Sequence, residues 1–197
     1  MPMTNIQQRG ATLIVSLVLL LIVTLIGISG METAVVEEKM SGSYRDHKIG
    51  FESAEQALLV GERFVDATTF AFTDYTSTCA NGLCFKGAWN HIDPNAACML
   101  NGFGTDVWLK TDSSNIWESE NTRVIGSKLD GVGLAPEYIV EFLCHAPISP
   151  NPPIPPYVAG SGWESHYGLL FRITAFGTGG TRNARVMLQS TYLKPLS

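Results

Sequence analysis

The stretch "QQRGATLIVSLVLLLIVTLIGISG", Gln7–Gly30, sets a single Arg-Gly pair directly against a long apolar run, and the reading of that run decides the fold. Ala11 to Ile28 carries no charge. As a helix rising 1.5 Å per residue it is about 27 Å long, close to the thickness of a bilayer's hydrocarbon core. A cleaved secretory signal fits poorly. Such a signal needs a basic start, a shorter apolar centre and a small-x-small cleavage site. Here the basic start is Arg9 alone, and Ile28-Ser29-Gly30 puts a bulky residue where a small one is wanted. The run therefore reads as a membrane span.

Helical periodicity does not stop at Gly30. Val36, Met40, Ser43, His47, Phe51, Ala54, Leu58, Gly61 and Val65 follow one another in steps of four and three, and predict one buried stripe. Glu37, Glu38, Lys39, Arg45, Lys48, Glu52, Glu55 and Glu62 fall on the remaining surface and predict a solvated face. Joined as one rod from Ala11 to about Ala67, the two halves span about 85 Å. Gly27, Gly30 and Gly42 weaken its middle, each by about 1 kcal/mol relative to alanine. The first half seeks lipid or another helix; the second seeks the globular domain that follows.

The composition, 45% hydrophobic and 16% charged over 197 residues, predicts one folded domain beside this segment. The net charge of −5 argues against nucleic acid as a partner. Cys79, Cys84, Cys98 and Cys144 all lie beyond the apolar run, an even set that predicts disulfides in an oxidising compartment. Their spacing lacks the tight pairs of a zinc site. Cys79 and Cys84 flank "ANGL", whose Asn-Gly turn makes a local bridge sterically reasonable. Of the three connectivities open to four cysteines, Cys79–Cys84 with Cys98–Cys144 is favoured. The second bridge closes a long loop and contributes roughly 3–4 kcal/mol in the chain-entropy model.

After Ala67 the pattern breaks into short runs. "PEYIVEFLC" alternates Tyr138, Val140 and Phe142 against Ile139, Glu141 and Leu143, and reads as a strand. "YGLLFRITAFG" and "NARVMLQSTYLK" read likewise, joined through "GTGGT", whose glycines permit the positive φ of a tight reversal. Three antiparallel strands need a cover on one face, and the amphipathic half of the helix supplies it. The expected fold class is therefore α+β, a long amino-terminal helix packed on a small antiparallel sheet. "APISPNPPIPPY", Ala146 to Tyr157, is too rich in proline for a central strand and predicts an extended connector, with a docking surface as the second reading. Trp89, Trp108, Trp117 and Trp163 read as core before interface.

Catalytic signatures are missing. Gly160-Ser161-Gly162 lacks the spacing of a nucleophile elbow, and no phosphate-binding loop occurs. His47, His91, His145 and His166 are scattered, and His91 with Asp93 is too weak a pair to nominate. "TDSSNIWESEN" offers oxygen ligands but no calcium-loop turn glycine. The expectation is no enzyme, no cofactor and no metal.

Taken together, the leader, the stalk "GISGMETAVVEEKMSGSYRDHKIGFESAEQALLVGE" and the carboxyl-terminal "FRITAFGTGGTRNARVMLQSTY" resemble the PilX minor pilins of the type IV pilus. The middle, from about Thr68 to Pro136, matches weakly apart from "NGLC". The resemblance implies a type IV pilin-like fold and a class III leader, residues 1–10, that a prepilin peptidase removes between Gly10 and Ala11 before methylating Ala11. It implies four segments: the leader, a transmembrane and polymerisation half at 11–30, an amphipathic half at 31–67, and a disulfide-stabilised globular domain at 68–197. Implied partners are other minor pilins, the major pilin and a tip adhesin of the PilY/PilC type. The implied location is the inner membrane with a periplasmic domain, and afterwards the extracellular pilus.

Two departures stand out. Most pilins carry a glutamate as the fifth mature residue, proposed to meet the amino terminus of a neighbouring subunit; Val15 stands there in this chain. A carboxylate in a bilayer costs about 2.5–3.5 kcal/mol on insertion scales, so it persists where a partner neutralises it. A subunit entering the fibre first has no neighbour above, and Val15 thus favours a tip position. The usual helix-breaking proline is also missing, with Gly27 and Gly30 as the nearest equivalents. The expected function is initiation of pilus assembly. The alternatives are a type II secretion tip pseudopilin, whose glutamate-lacking member is usually larger, and a membrane-tethered binding or sensor domain.

Overall fold

The computed structural model describes residues 11–69, 71–85, 116–117, 121–126, 129–154 and 158–196. A single helix, α1, covers Ala11–Ala67, and the chain divides into two units, Met1–Arg45 and Asp46–Ser197.

In the first unit the described residues are all helical, and Leu13 to Ile28 present their side chains outward. This helix is long and apolar enough to cross a membrane. Its hydroxyl side chains turn back onto their own backbone. Ser16 Oγ donates to the Leu13 carbonyl at 2.9 Å, Thr24 Oγ1 to Leu21 at 2.8 Å and Ser29 Oγ to Leu25 at 2.9 Å. Polar groups satisfied within one helix are what a lipid environment demands. Among the described residues, and the helix's own backbone aside, nothing lies within 4 Å of a Cβ added at Gly27, Gly30 or Gly42. Each costs helix propensity relative to alanine.

The second unit is helix on sheet. Two short strands, β1 (Leu83–Cys84) and β2 (Arg123–Val124), and three long ones, β3 (Glu137–Pro147), β4 (Tyr167–Thr178) and β5 (Arg185–Pro195), form one sheet in the order β1-β3-β4-β5. The three long strands are antiparallel, as the alternating segments predict. Its far edge makes the sheet mixed: β1 runs parallel to β3, pairing Leu83 with Val140, while β2 pairs antiparallel to the same strand, Arg123 with Tyr138.

Four sequence readings change in detail. The strand β3 is buried continuously from Tyr138 to Leu143 rather than on alternate residues. Tyr138, Val140 and Phe142 join the helix-side core, whereas Ile139 packs with Cys79, Cys84 and Ile116 on the opposite face. A strand covered on both sides loses its polar alternation.

The helical stripe also shifts. The buried positions are Gly50, Ser53, Ala54, Ala57, Gly61 and Val65, while Phe51 stays exposed. The reason is proximity, because the helix lies so close to β4 that only small residues fit between. A Cβ at Gly61 would stand 2.7 Å from Ile173 Cγ2, and one at Gly177 would stand 2.4 Å from the Ala54 nitrogen. Ala54, Gly61 and Val65 of the expected stripe are therefore buried as read, whereas Val36, Met40, Ser43, His47 and Phe51 are exposed. The small Gly50, Ser53 and Ala57, which carry little hydrophobic signal, complete the seat.

The same distances correct the reading of "GTGGT". Gly82, Gly131, Gly160 and Gly162 are the described glycines with positive φ; Gly177, Gly179 and Gly180 are not among them. Gly177 and Gly179 are needed for space, the latter because its Cβ would meet the Asp46 carbonyl at 2.4 Å. The proline-rich run, finally, begins inside β3, where Pro147 pairs with Tyr167, and only from Ile148 does it leave the sheet toward β4.

Trp117 stacks on Phe176 with ring centroids 5.2 Å apart, and Trp163 packs edge-on against His145 and Tyr167. Trp89 and Trp108 lie outside the described residues.

Candidate functional site

Ala11 is the first residue of α1, and Val15, one turn on, points outward with 57% of its surface exposed. Gly10 lies outside the described residues. Cys79 and Cys84 are joined, and Cys144 is disulfide-bonded as well, while Cys98 lies outside the described residues. The bridge spans a turn in which Cys79, Asn81 and Gly82 all have positive φ, at 61°, 53° and 71°. Asn and Gly are the residues that tolerate this region. Gly82 is required twice over, since its Cβ would come within 3.0 Å of the Arg123 nitrogen. The acidic run from Thr111 to Asn121 falls mostly outside the described residues; among the described ones no group of His, Cys, Asp or Glu is arranged to hold a metal.

Three polar devices fix the helix and the sheet, and sequence reading found none of them. At the carboxyl end of α1, Lys194 Nζ donates to the carbonyls of Val65, Asp66 and Thr68 at 2.7–2.8 Å. The helix has no basic residue in its own last turn, so β5 supplies the cation that its exposed carbonyls favour. Tyr192, two residues earlier on the same face of β5, donates its hydroxyl to Asp66 at 2.8 Å, and this bond first, then desolvation, raises its pKa.

Near Gly50 the Asp46 carboxylate accepts from the Thr181 hydroxyl and, at 3.1 Å, from the Thr181 backbone N–H. Those bonds hold its pKa below the usual carboxylate value. On the sheet face away from the helix, Glu141 and Arg172 stand directly opposite one another on β3 and β4. The Arg172 Nε and Nη2 donate to one Glu141 oxygen at 3.0 and 2.7 Å, with the Glu141 side chain 3% exposed.

Beside the Cys79–Cys84 turn, the end of α1, the 3-10 turn Phe72–Asp74 and β2 enclose an open cleft of about 770 Å³. Arg123 is its organising side chain. Its guanidinium lies 4.0 Å over the Phe64 ring and its Nη1 donates to the Asn81 carbonyl at 3.1 Å. Thr122 donates to Glu137, whose pKa stands above the usual carboxylate value because burial outweighs that bond. Tyr75, between the lining residues Asp74 and Thr76, has its pKa pushed up to about 12 by burial.

A search of curated proteins and a search of solved structures return no match. Two protein-family models do match, and in chain order: PilX N-terminal over residues 9–58, and type IV pilus assembly protein PilX C-term over residues 71–194. That family is one of pilus assembly proteins rather than enzymes, and the apolar first half of α1 is what membrane anchoring of a pilin requires. With matches on both sides of the helix–domain junction, this chain belongs to the PilX family of type IV pilus assembly proteins.

Proposed function

We propose that the chain is a minor pilin that helps initiate type IV pilus assembly at or near the fibre tip. It acts with other minor pilins and a PilY/PilC-type adhesin. A prepilin peptidase cuts between Gly10 and Ala11, after which α1 moves from the inner membrane into the helical bundle of the fibre beside the major pilin. The observation that carries the tip position is Val15: the fifth residue of the helix starting at Ala11 has no carboxylate to offer a subunit above it. The chain itself catalyses nothing and needs no cofactor on this reading.

Deletion with complementation tests it. Loss of surface pili, restored by the parent gene, supports priming; normal piliation without the protein defeats it. Mass spectrometry of the mature chain should find Ala11, methylated, at its start. Tip-restricted labelling in the parent, spreading along the shaft in a Val15→Glu variant, supports the role assigned to Val15; shaft labelling in the parent overturns it.

A further inference from the structure

The cleft beside the Cys79–Cys84 turn has no part in the assembly scheme above. Four threonines line it, together with Asp74, Asn81 and Arg123, and Leu83 and Val124 supply an apolar side. Its volume of about 770 Å³ falls within the range of small-ligand sites. Among its lining residues the formal charges of Asp74 and Arg123 cancel, so it has no net preference for an ion.

Thr122 gives its hydroxyl proton to Glu137, and Thr76 accepts from the Ala80 N–H. What the cleft offers is therefore the Asp74 carboxylate, which only accepts, the Arg123 guanidinium, which only donates, and the Thr68 and Thr73 hydroxyls and Asn81 amide, which do both. Only one of the five guanidinium N–H donors is used by the bond to the Asn81 carbonyl, and the stack on Phe64 fixes the plane of the remainder. Two of the walls are also rigid. One is the disulfide-closed turn and the other is β2, held to β3. A pre-shaped wall lowers the ordering cost of binding.

We propose that this cleft binds a neutral saccharide. Sugar rings present closely spaced hydroxyls, each needing both a donor and an acceptor, beside a C–H face that suits Leu83 and Val124. An anion would leave Asp74 opposed, and a peptide adding as a strand would need a longer edge than the two-residue β1 and β2 offer. The assignment stands on the cleft alone and holds whether or not the protein sits at a pilus tip.

The test is saturation-transfer NMR on the full chain in phosphatidylcholine nanodiscs. The probes are methyl glycosides of glucose, galactose, mannose, rhamnose and N-acetylglucosamine, with acetate, inorganic phosphate and tetra-alanine beside them. At least one glycoside should saturate. Asp74→Ala and Thr73→Val should each weaken it by about 5-fold or more, roughly one hydrogen bond's worth. Thr191→Val, on β5, should leave it unchanged.

Preference for rhamnose would point to a bacterial surface as the source, and preference for galactose or N-acetylglucosamine to a host surface; either supports the proposal. It is overturned if no glycoside saturates, or if acetate, phosphate or tetra-alanine saturates in their place. It is overturned equally if both cleft variants, with unchanged unfolding midpoints, bind as the parent does.

Discussion

Gly177 and Gly61 face each other's elements across the helix–sheet contact, but an added methyl meets different obstacles at the two positions. At Gly61 the nearest atoms belong to side chains, Ile173 Cγ2 at 2.7 Å and Tyr138 Cδ2 at 3.0 Å, both buried. Relieving the clash requires both to shift within the core, which alanine's helix propensity offsets only in part. At Gly177 the nearest atoms are the Ala54 nitrogen at 2.4 Å and the Gly50 carbonyl at 2.7 Å, which shift only if the helix does. Gly61→Ala is therefore expected to destabilise by about 1–2 kcal/mol and Gly177→Ala by about 3 kcal/mol or more, measured by urea unfolding. The Glu141–Arg172 pair gives a second test at this scale. Arg172→Met leaves a carboxylate buried in place and should destabilise by about 3–5 kcal/mol, whereas the double variant Glu141→Leu, Arg172→Met should destabilise less than that. If the double variant proves the weaker protein, the pair contributes more than its desolvation takes away.

Among the elements, α1 depends on β5 for its ending. Lys194 meets the carbonyls of Val65 and Asp66 in the last turn and of Thr68 just beyond it, so Lys194→Met should lower stability by about 1–2 kcal/mol. The loss should appear as faster amide exchange around Val65 to Thr68. The β4–β5 turn depends in the same way on Asp46. Its carboxyl pKa is depressed in the folded protein, so the stabilisation is present above the unfolded value near 3.8 and disappears as pH falls through the lower folded value. Acid titration should therefore loosen the Thr181 amide, followed by exchange, below about pH 4. Asp46→Asn should make that amide insensitive to pH in the same window.

For the whole molecule, the division at Arg45 and Asp46 has a direct consequence. Both core clusters are drawn from Ala57 onward, with no residue of the apolar half of α1 among them. A fragment from Met31 to Ser197 should consequently unfold within a few degrees of the full chain's midpoint in nanodiscs, as read by near-ultraviolet circular dichroism. A loss of cooperative unfolding would mean that the apolar half stabilises the domain through contacts outside these clusters. Such independence is what a subunit needs if its helix exchanges lipid for other helices while its domain stays folded.

Local signals were enough for the outline. The uninterrupted apolar run, its continuing helical period, three alternating segments and the Asn-Gly turn between Cys79 and Cys84 are properties of near neighbours in the chain, and each element they predict is present. The resemblance to PilX rested on the same local text. The helical period already placed Ala54, Gly61 and Val65 on the buried face of α1. Tertiary structure decided that Gly50, Ser53 and Ala57 complete it in place of Phe51, because close approach selects small residues that carry little hydrophobic signal. It alone brought Asp46 to Thr181, 135 residues away, Lys194 to the end of α1, and Arg123 over Phe64. Periodicity reports which residues avoid water, while hydrogen bonds between distant segments depend on strand register and helix placement, which exist only once the chain has folded.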